Sequence, residues 1–122
     1  MANILLVDDD ELVRDIIEMI LANEGHTVST ARDGIVALTE FRRDNKDLVI
    51  TDIVMPDSEG IELVRAIRAE APTCPILAIS GAVQGDLYLR GALRLGANAA
   101  LAKPFGAREL LEKVNELLAP NS

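Results

Sequence analysis

The chain predicts an α/β fold built on a doubly wound, open parallel sheet of five strands. Three observations predict it. Short apolar, β-branched stretches alternate five times with segments whose apolar residues recur at helical spacing. The connections are short, which suits parallel strands joined by right-handed crossovers and covered by helices on both faces. Four of the five apolar stretches stop at polar side chains capable of chemistry, at Asp8–Asp10, Asp52, Ser80 and Lys103. Five units are too few for an eight-stranded barrel.

Taken in order, Ile4 to Val7 forms the first strand and ends in Asp8, Asp9 and Asp10. A helix starts at Glu11, with Leu12, Val13, Ile16, Ile17, Ile20 and Leu21 on one apolar face and Arg14, Asp15 and Glu18 outside it, and Gly25 is its stop signal. Thr27 to Ala31 is a more polar strand, expected near a sheet edge, and Asp33 is placed to cap a helix over Ile35 to Arg43. Leu48 to Thr51 reads as a strand buried on both faces, ending in Asp52. Met55 to Gly60 supplies turn chemistry before a helix from Ile61, with Ile61, Val64, Ile67 and Ala71 on one face, that Pro72 ends. Ile76 to Ile79 is the fourth strand, stopping at Ser80-Gly81. Gly85 and Asp86 lead into a helix with Leu89, Ala92, Leu93 and Leu95 that Gly96 closes. Ala97 to Ala102 is a weak fifth strand before Lys103-Pro104, and the last helix spans Ala107 to Leu118, followed by the tail Ala119 to Ser122.

Composition narrows the function. At 122 residues, 49% of them apolar, the chain can bury a core and is expected to be one domain over 1–122. Twelve basic against 20 acidic residues leave a net charge of −8 with no basic run, so direct nucleic-acid binding is not expected. The single Cys74 excludes an internal disulfide, and neither a signal peptide nor an apolar run of membrane-spanning length is seen. A cytoplasmic protein without membrane contact is the expectation.

In a parallel sheet the strand ends share one edge, where open α/β sheets bind ligands. Carboxylates from the first and third strands, the Ser80 hydroxyl and the Lys103 ammonium should therefore meet in one cleft. Crowded carboxylates repel unless a cation intervenes, so either Lys103 or a divalent ion must supply positive charge. All-oxygen ligands suit Mg2+, with Mn2+ as a substitute. A metal, a carboxylate nucleophile, a hydroxyl and a lysine together fit phosphoryl transfer. Helix capping explains Asp10 alone, but it leaves Asp8 and Asp9 without a role.

Asp8-Asp9, Asp52 with Met55-Pro56 and Gly60 behind it, Ser80-Gly81 and Lys103-Pro104-Phe105 together resemble the receiver domain of two-component response regulators, across essentially the whole chain. The resemblance implies a flavodoxin-like fold with strand order 2-1-3-4-5. It implies that Asp52 is the phosphoacceptor and that Asp9, Asp52 and the Val54 backbone carbonyl ligate Mg2+, with Asp8 acting largely through water. Ser80 and Lys103 would bind phosphoryl oxygens, and the Lys103-Pro104 peptide is a candidate cis bond. The implied partners are a sensor histidine kinase or histidine phosphotransfer protein, and a downstream protein bound by the face of helix 4, strand 5 and helix 5. The implied state is a monomer or a phosphorylation-dependent dimer. The domain would catalyse only its own phosphorylation and dephosphorylation.

Two departures matter. Ala100 stands three residues before Lys103, where the family usually carries a Tyr or Phe that reports phosphorylation. Output is therefore expected through the loop Ser80 to Asp86 and the helix bearing Tyr88, Arg90 and Arg94. Val54 and Ala82 are apolar where family members tune phosphoryl lifetime, which favours a long-lived phosphoryl group. His26 is expected at the surface, Cys74 as structural and Tyr88 as half-exposed. Two other classes compete: an aspartyl-phosphate hydrolase, which would want a second acid at Val54, and a phosphorylation-independent interaction module, which would lack Asp52, Asp9 or Lys103.

Overall fold

The computed structural model describes residues 1–55, 59–81 and 85–119, with the backbone alone at 59, 85 and 86. Five strands, β1 (Asn3–Val7), β2 (Thr27–Ala31), β3 (Leu48–Asp52), β4 (Ile76–Ser80) and β5 (Ala99–Ala102), alternate with α1 (Glu11–Asn23), α2 (Gly34–Arg43), α3 (Glu59–Glu70), α4 (Gly85–Leu95) and α5 (Ala107–Leu118). All pairings are parallel and the order is β2-β1-β3-β4-β5, as expected. The more polar β2 lies at one edge and β5 at the other.

Strand side chains alternate between faces, so each strand feeds two apolar layers. Ile4, Leu6, Ile50, Leu77 and Ile79 pack with Ile17 and Leu21 of α1 and Leu110 and Val114 of α5. Leu5, Val7, Val49, Ile76 and Ala78 pack on the other side with Ala37 of α2, Val64 and Ile67 of α3 and Leu89 and Ala92 of α4. β3 and β4 are buried throughout. Each fully buried aliphatic side chain contributes about 1.5–3 kcal/mol, which makes this central pair the rigid base of the carboxyl edge.

The helix starts follow capping chemistry. Asp10 accepts hydrogen bonds from the N–H groups of Leu12 (3.0 Å) and Val13 (3.3 Å), and Asp33 accepts one from Val36 (2.8 Å). Each cap is worth about 1 kcal/mol. The structure departs from the sequence reading at several points. The apolar stripe of α1 is only partly covered, with Leu12 69% and Ile16 50% exposed, because α1 seats on the sheet through buried Ile17 and Leu21, flanked by half-buried Val13 and Ile20. Leu93 of α4 likewise faces outward. Helix α3 begins at Glu59, two residues before Ile61. Ala97 and Asn98 precede β5: the Ala97 N–H bonds the Ala92 carbonyl and closes α4, with Gly96 at φ +132°. His26 is half-buried, its Nδ1 accepting the Ala2 N–H at 3.1 Å, so it holds the start of β1 and is not a free surface group. Cys74 is buried, and burial raises its thiol pKa, in keeping with a structural role. Tyr88 is 41% exposed. The turn residues Pro56 to Ser58, Ala82 with the centre of the Ser80 to Asp86 loop, and the end of the tail lie outside the described residues. No helix among those described is long and apolar enough to cross a membrane.

Candidate functional site

The register carries the predicted residues to one edge. Val7 pairs with Thr51, so the next residues, Asp8 and Asp52, stand side by side. Asp52 pairs with Ile79 and Ser80 with Ala102, and the Lys103 N–H donates to the Ser80 carbonyl at 2.8 Å. Beyond a cis Lys103-Pro104 peptide the chain turns into α5. The Lys103 ammonium donates to Asp8 Oδ2 and Asp52 Oδ2, both at 2.9 Å. Asp8 is wholly buried and Asp52 is 5% exposed, so two carboxylates share a poorly solvated rim and one cation bridges them. Asp9 is exposed, yet Asp8, Asp9 and Asp52 each offer a carboxylate oxygen within 4.8 Å of the others. A cleft of about 390 Å³ opens here, with Asp9, Asp52, Val54, Gly81 and Lys103 among its lining.

The two members of the ion pair respond to burial differently. Burial pushes the Asp52 carboxyl above the ordinary carboxylate range, and the charge of Asp8 adds to that rise. The Lys103 hydrogen bond and charge and the Val54 N–H pull it back without cancelling it. Burial would lower Lys103, but its hydrogen bonds to Asp8 and Asp52 outweigh that and hold the ammonium above the usual lysine value. Lys103 thus stays charged, while ionised Asp52 is under-compensated and gains from any further cation.

Ser80 is 1% exposed, and its Oγ is buried without a hydrogen-bond partner. A buried orphan hydroxyl costs about 1–3 kcal/mol, so its presence beside the acids marks a place for a ligand oxygen. Replacing Ser80 with alanine should therefore leave the metal-free protein as stable or up to about 1 kcal/mol more stable in urea unfolding. If Ser80 binds a phosphoryl oxygen, as the resemblance implies, the same change should slow phosphoryl uptake at least tenfold. A clear loss of stability would show that the hydroxyl is satisfied in the resting fold.

Other contacts shape the site in ways the sequence does not signal. Arg14 Nη1 donates to the Asp8 carbonyl at 2.9 Å and the Asp10 N–H donates to Asp8 Oδ1 at 2.9 Å, which fixes the acidic turn from both sides. Arg14 reads in the sequence only as a polar helix residue. The Val54 N–H donates to Asp52 Oδ1 at 2.9 Å; the resemblance had pointed only to the Val54 carbonyl. Gly81 matters for space: a Cβ there would lie 3.0 Å from Lys103 Cβ and Cδ, so the glycine makes room for the lysine stem. Ala100 packs against the layer under α2, α3 and α4, and no aromatic ring stands at its position.

Three carboxylates, one of them exposed, and a buried unpartnered hydroxyl form an oxygen-only donor set that fits a hard divalent cation with an oxyanion beside it. Comparison with known proteins agrees. Residues 4–115 match the response regulator receiver domain family. The chain is similar to the alkaline phosphatase synthesis transcriptional regulatory protein SphR of Synechococcus elongatus (37% identical, 96% of this chain, 49% of SphR). It is also similar to the response regulator MprA of Mycobacterium leprae (36% identical, 94% of this chain, 50% of MprA). It spans about half the length of these curated relatives. Among solved structures, a putative response regulator from Chloroflexus aurantiacus superposes with a TM-score of 0.89 at 31% identity, covering 98% of each chain. The chemotaxis response regulator CheY4 of Vibrio cholerae gives 0.87 at 32% identity, covering 97% of this chain and 99% of its own. From sheet order, carboxyl edge and matched residues alike, this chain belongs to the response regulator receiver domain family of two-component signalling.

Proposed function

We propose that residues 1–122 form one receiver domain in which Asp52 accepts a phosphoryl group from the phosphohistidine of a sensor histidine kinase or histidine phosphotransfer protein. A carboxylate oxygen of Asp52 forms the new O–P bond as the N–P bond of phosphohistidine breaks, and the departing imidazole nitrogen keeps the electron pair and takes up a proton. Lys103 orients Asp52 beforehand and then meets a phosphoryl oxygen, and the Ser80 hydroxyl donates to another. The Val54 N–H holds the second Asp52 oxygen, fixing the carboxylate plane. Asp9, Asp52 and the Val54 carbonyl would hold Mg2+, or Mn2+ in its place, with Asp8 behind. That ion supplies positive charge to offset the equatorial oxygens of the loose transition state. The observation that carries the reading is the buried Ser80 hydroxyl, left without a partner beside the Lys103-bridged Asp8 and Asp52.

The domain catalyses only its own phosphorylation and dephosphorylation. Val54 stands where a hydrolase of the aspartyl-phosphate type would place a general acid, and its side chain has no proton to give. The acyl phosphate adds negative charge at the carboxyl edge, and the altered face at α4, β5 and α5 binds a downstream protein in the cytoplasm, without direct contact with nucleic acid. Incubation with acetyl phosphate and Mg2+ should add the mass of one phosphoryl group, about 80 Da, to the wild type and none to Asp52→Asn, by intact mass spectrometry. An Asp52→Asn protein that gains the same mass would move the acceptor elsewhere. Steady release of phosphate at many turnovers per minute would favour the hydrolase.

A further inference from the structure

Arg68, in the last turn of α3, reaches across to the far end of α4. Its Nε and Nη2 donate to the Gly96 carbonyl at 3.0 and 2.7 Å, and Nη2 also donates to Asn98 Oδ1 at 2.7 Å. Its Nη1 donates to the carbonyls of Ala71 and Pro72 at 3.0 and 2.9 Å. Asn98 Oδ1 accepts the Ile76 N–H as well, at 2.9 Å, and the Asn98 N–H donates to the Ile76 carbonyl at 2.8 Å. One guanidinium thus fastens the carboxyl ends of two helices to each other and to the start of β4. Carbonyls at a helix C-terminus carry partial negative charge, which a fixed cation favours. Gly96 makes the contact possible: a Cβ there would lie 2.9 Å from Arg68 Cγ. The base of the clamp is itself held, since Arg42 of α2 forms a two-pronged pair with Glu70 at 2.9 and 2.7 Å.

The two ends of α4 are therefore unlike. Its first residue, Gly85, follows β4 shortly after Ser80, the buried hydroxyl that phosphorylation engages, whereas its last, Leu95, runs directly into the Arg68 clamp. Between them, Leu89 and Ala92 are buried while Leu87, Tyr88 and Leu93 face outward. Resting on the phosphoacceptor reading above, we propose that Arg68 is the pivot of the switch. It pins the C-terminal end of α4, so that phosphorylation at Asp52 swings the N-terminal half, carrying Leu87 and Tyr88, as a lever. Arg68 touches neither Asp52 nor Lys103 and acts as a positioning residue for the output helix. With no aromatic at position 100 to signal phosphorylation, the lever is the route by which the event at Ser80 becomes a changed surface.

Hydrogen exchange read by mass spectrometry, with and without acetyl phosphate and Mg2+, tests the pivot. In the wild type, phosphorylation should change exchange several-fold over residues 87–90 and less than about twofold over 92–97. Arg68→Met should raise exchange over 92–97 about tenfold before phosphorylation, and phosphorylation should then disturb both halves. Its rate of phosphoryl uptake should stay within about twofold of the wild type. Arg68→Lys keeps the charge but loses the fork, and should lie between the two; Asn98→Ala supplies a milder third variant should Arg68→Met fold poorly. Unchanged exchange over 92–97 in folded Arg68→Met, or a wild-type response equal in both halves, overturns the lever and leaves the acceptor intact. A wild type that gains no phosphoryl mass overturns the acceptor reading and the lever with it.

Discussion

Replacing Lys103 with methionine should destabilise the metal-free protein by about 2–3 kcal/mol and lower phosphoryl uptake by about 100-fold or more. The first effect follows from burial. Asp8 is fully buried, the Asp52 side chain is 7% exposed, and Lys103 bridges both. Removing one partner of a buried pair costs about 3–5 kcal/mol because the remaining charge is stranded. The loss is smaller here because the Lys103 side chain keeps 20% of its exposure and water can reach the gap. The pH dependence has a definite sign. Burial already raises Asp52 above its unfolded value, and losing the lysine raises it further. A carboxyl with a raised folded pKa favours folding while protonated and loses that contribution as pH climbs through the folded pKa. The deficit of the variant should therefore be small near pH 4, where unfolded carboxyls begin to ionise, and reach full size at neutral pH. Mg2+ should restore more stability to the variant than to the wild type, since an ion bound only by the folded state meets carboxylates that no ammonium now balances. The kinetic effect persists in saturating Mg2+, because a fixed donor aimed at the phosphoryl oxygens is worth about 10²–10³ in rate. Urea unfolding across pH and intact mass over time read the two effects separately. Equal stability at neutral pH would mean that the bridge contributes nothing to the resting fold.

The fold was legible because alternation of strand and helix, the capping aspartates and the polar residues at strand ends all pointed to one architecture. Burial of β3 on both faces followed directly from its unbroken apolar run. What sequence periodicity overstated was coverage. Leu12 and Ile16 fall on the apolar stripe of α1, but a helix of this radius lays only a narrow strip against the sheet, and the rest of the stripe stays in water. At the site, the residues bearing distinctive side chains could be named in advance. Particular contacts could not: the Val54 N–H bond to Asp52 and the Arg14 contact to a carbonyl have no periodicity or charge signature, and Gly81, though part of the Ser80-Gly81 signal, gives no sign in the sequence that it makes room for the Lys103 stem. Arg68 was hidden for a related reason, since most of its partners are main-chain carbonyls that any sequence would supply, and its one side-chain partner, Asn98, lies 30 residues away.

Two helical glycines show how far such hidden constraints reach, and they should answer to alanine in opposite ways. At Gly60, in the first turn of α3, a Cβ would stand 2.3 Å from Ile53 Cα and 2.5 Å from the Asp52 carbonyl oxygen, both backbone atoms of the segment leaving β3. Carbon contacts relax only near 3.5–4.0 Å, so the start of α3 must lift by roughly 1 Å or more or the Asp52–Val54 turn must yield. Overpacking of that kind costs about 3 kcal/mol or more where the opposing atoms are main chain. It also disturbs the Val54 N–H bond that fixes Asp52, and a shift of about 1 Å at a reacting group is worth about 10² in rate. Gly60→Ala should therefore lose about 10 °C or more in melting temperature, and most of its phosphoryl uptake. At Gly91, within α4, a Cβ would meet nothing within 4 Å, so Gly91→Ala should instead gain about 0.5–1 kcal/mol from helix propensity alone. A Gly60→Ala protein as stable and as readily phosphorylated as the wild type would mean that α3 does not seat against the end of β3. The Asp52 carboxylate would then owe its orientation to Lys103 and the Val54 N–H without support from α3.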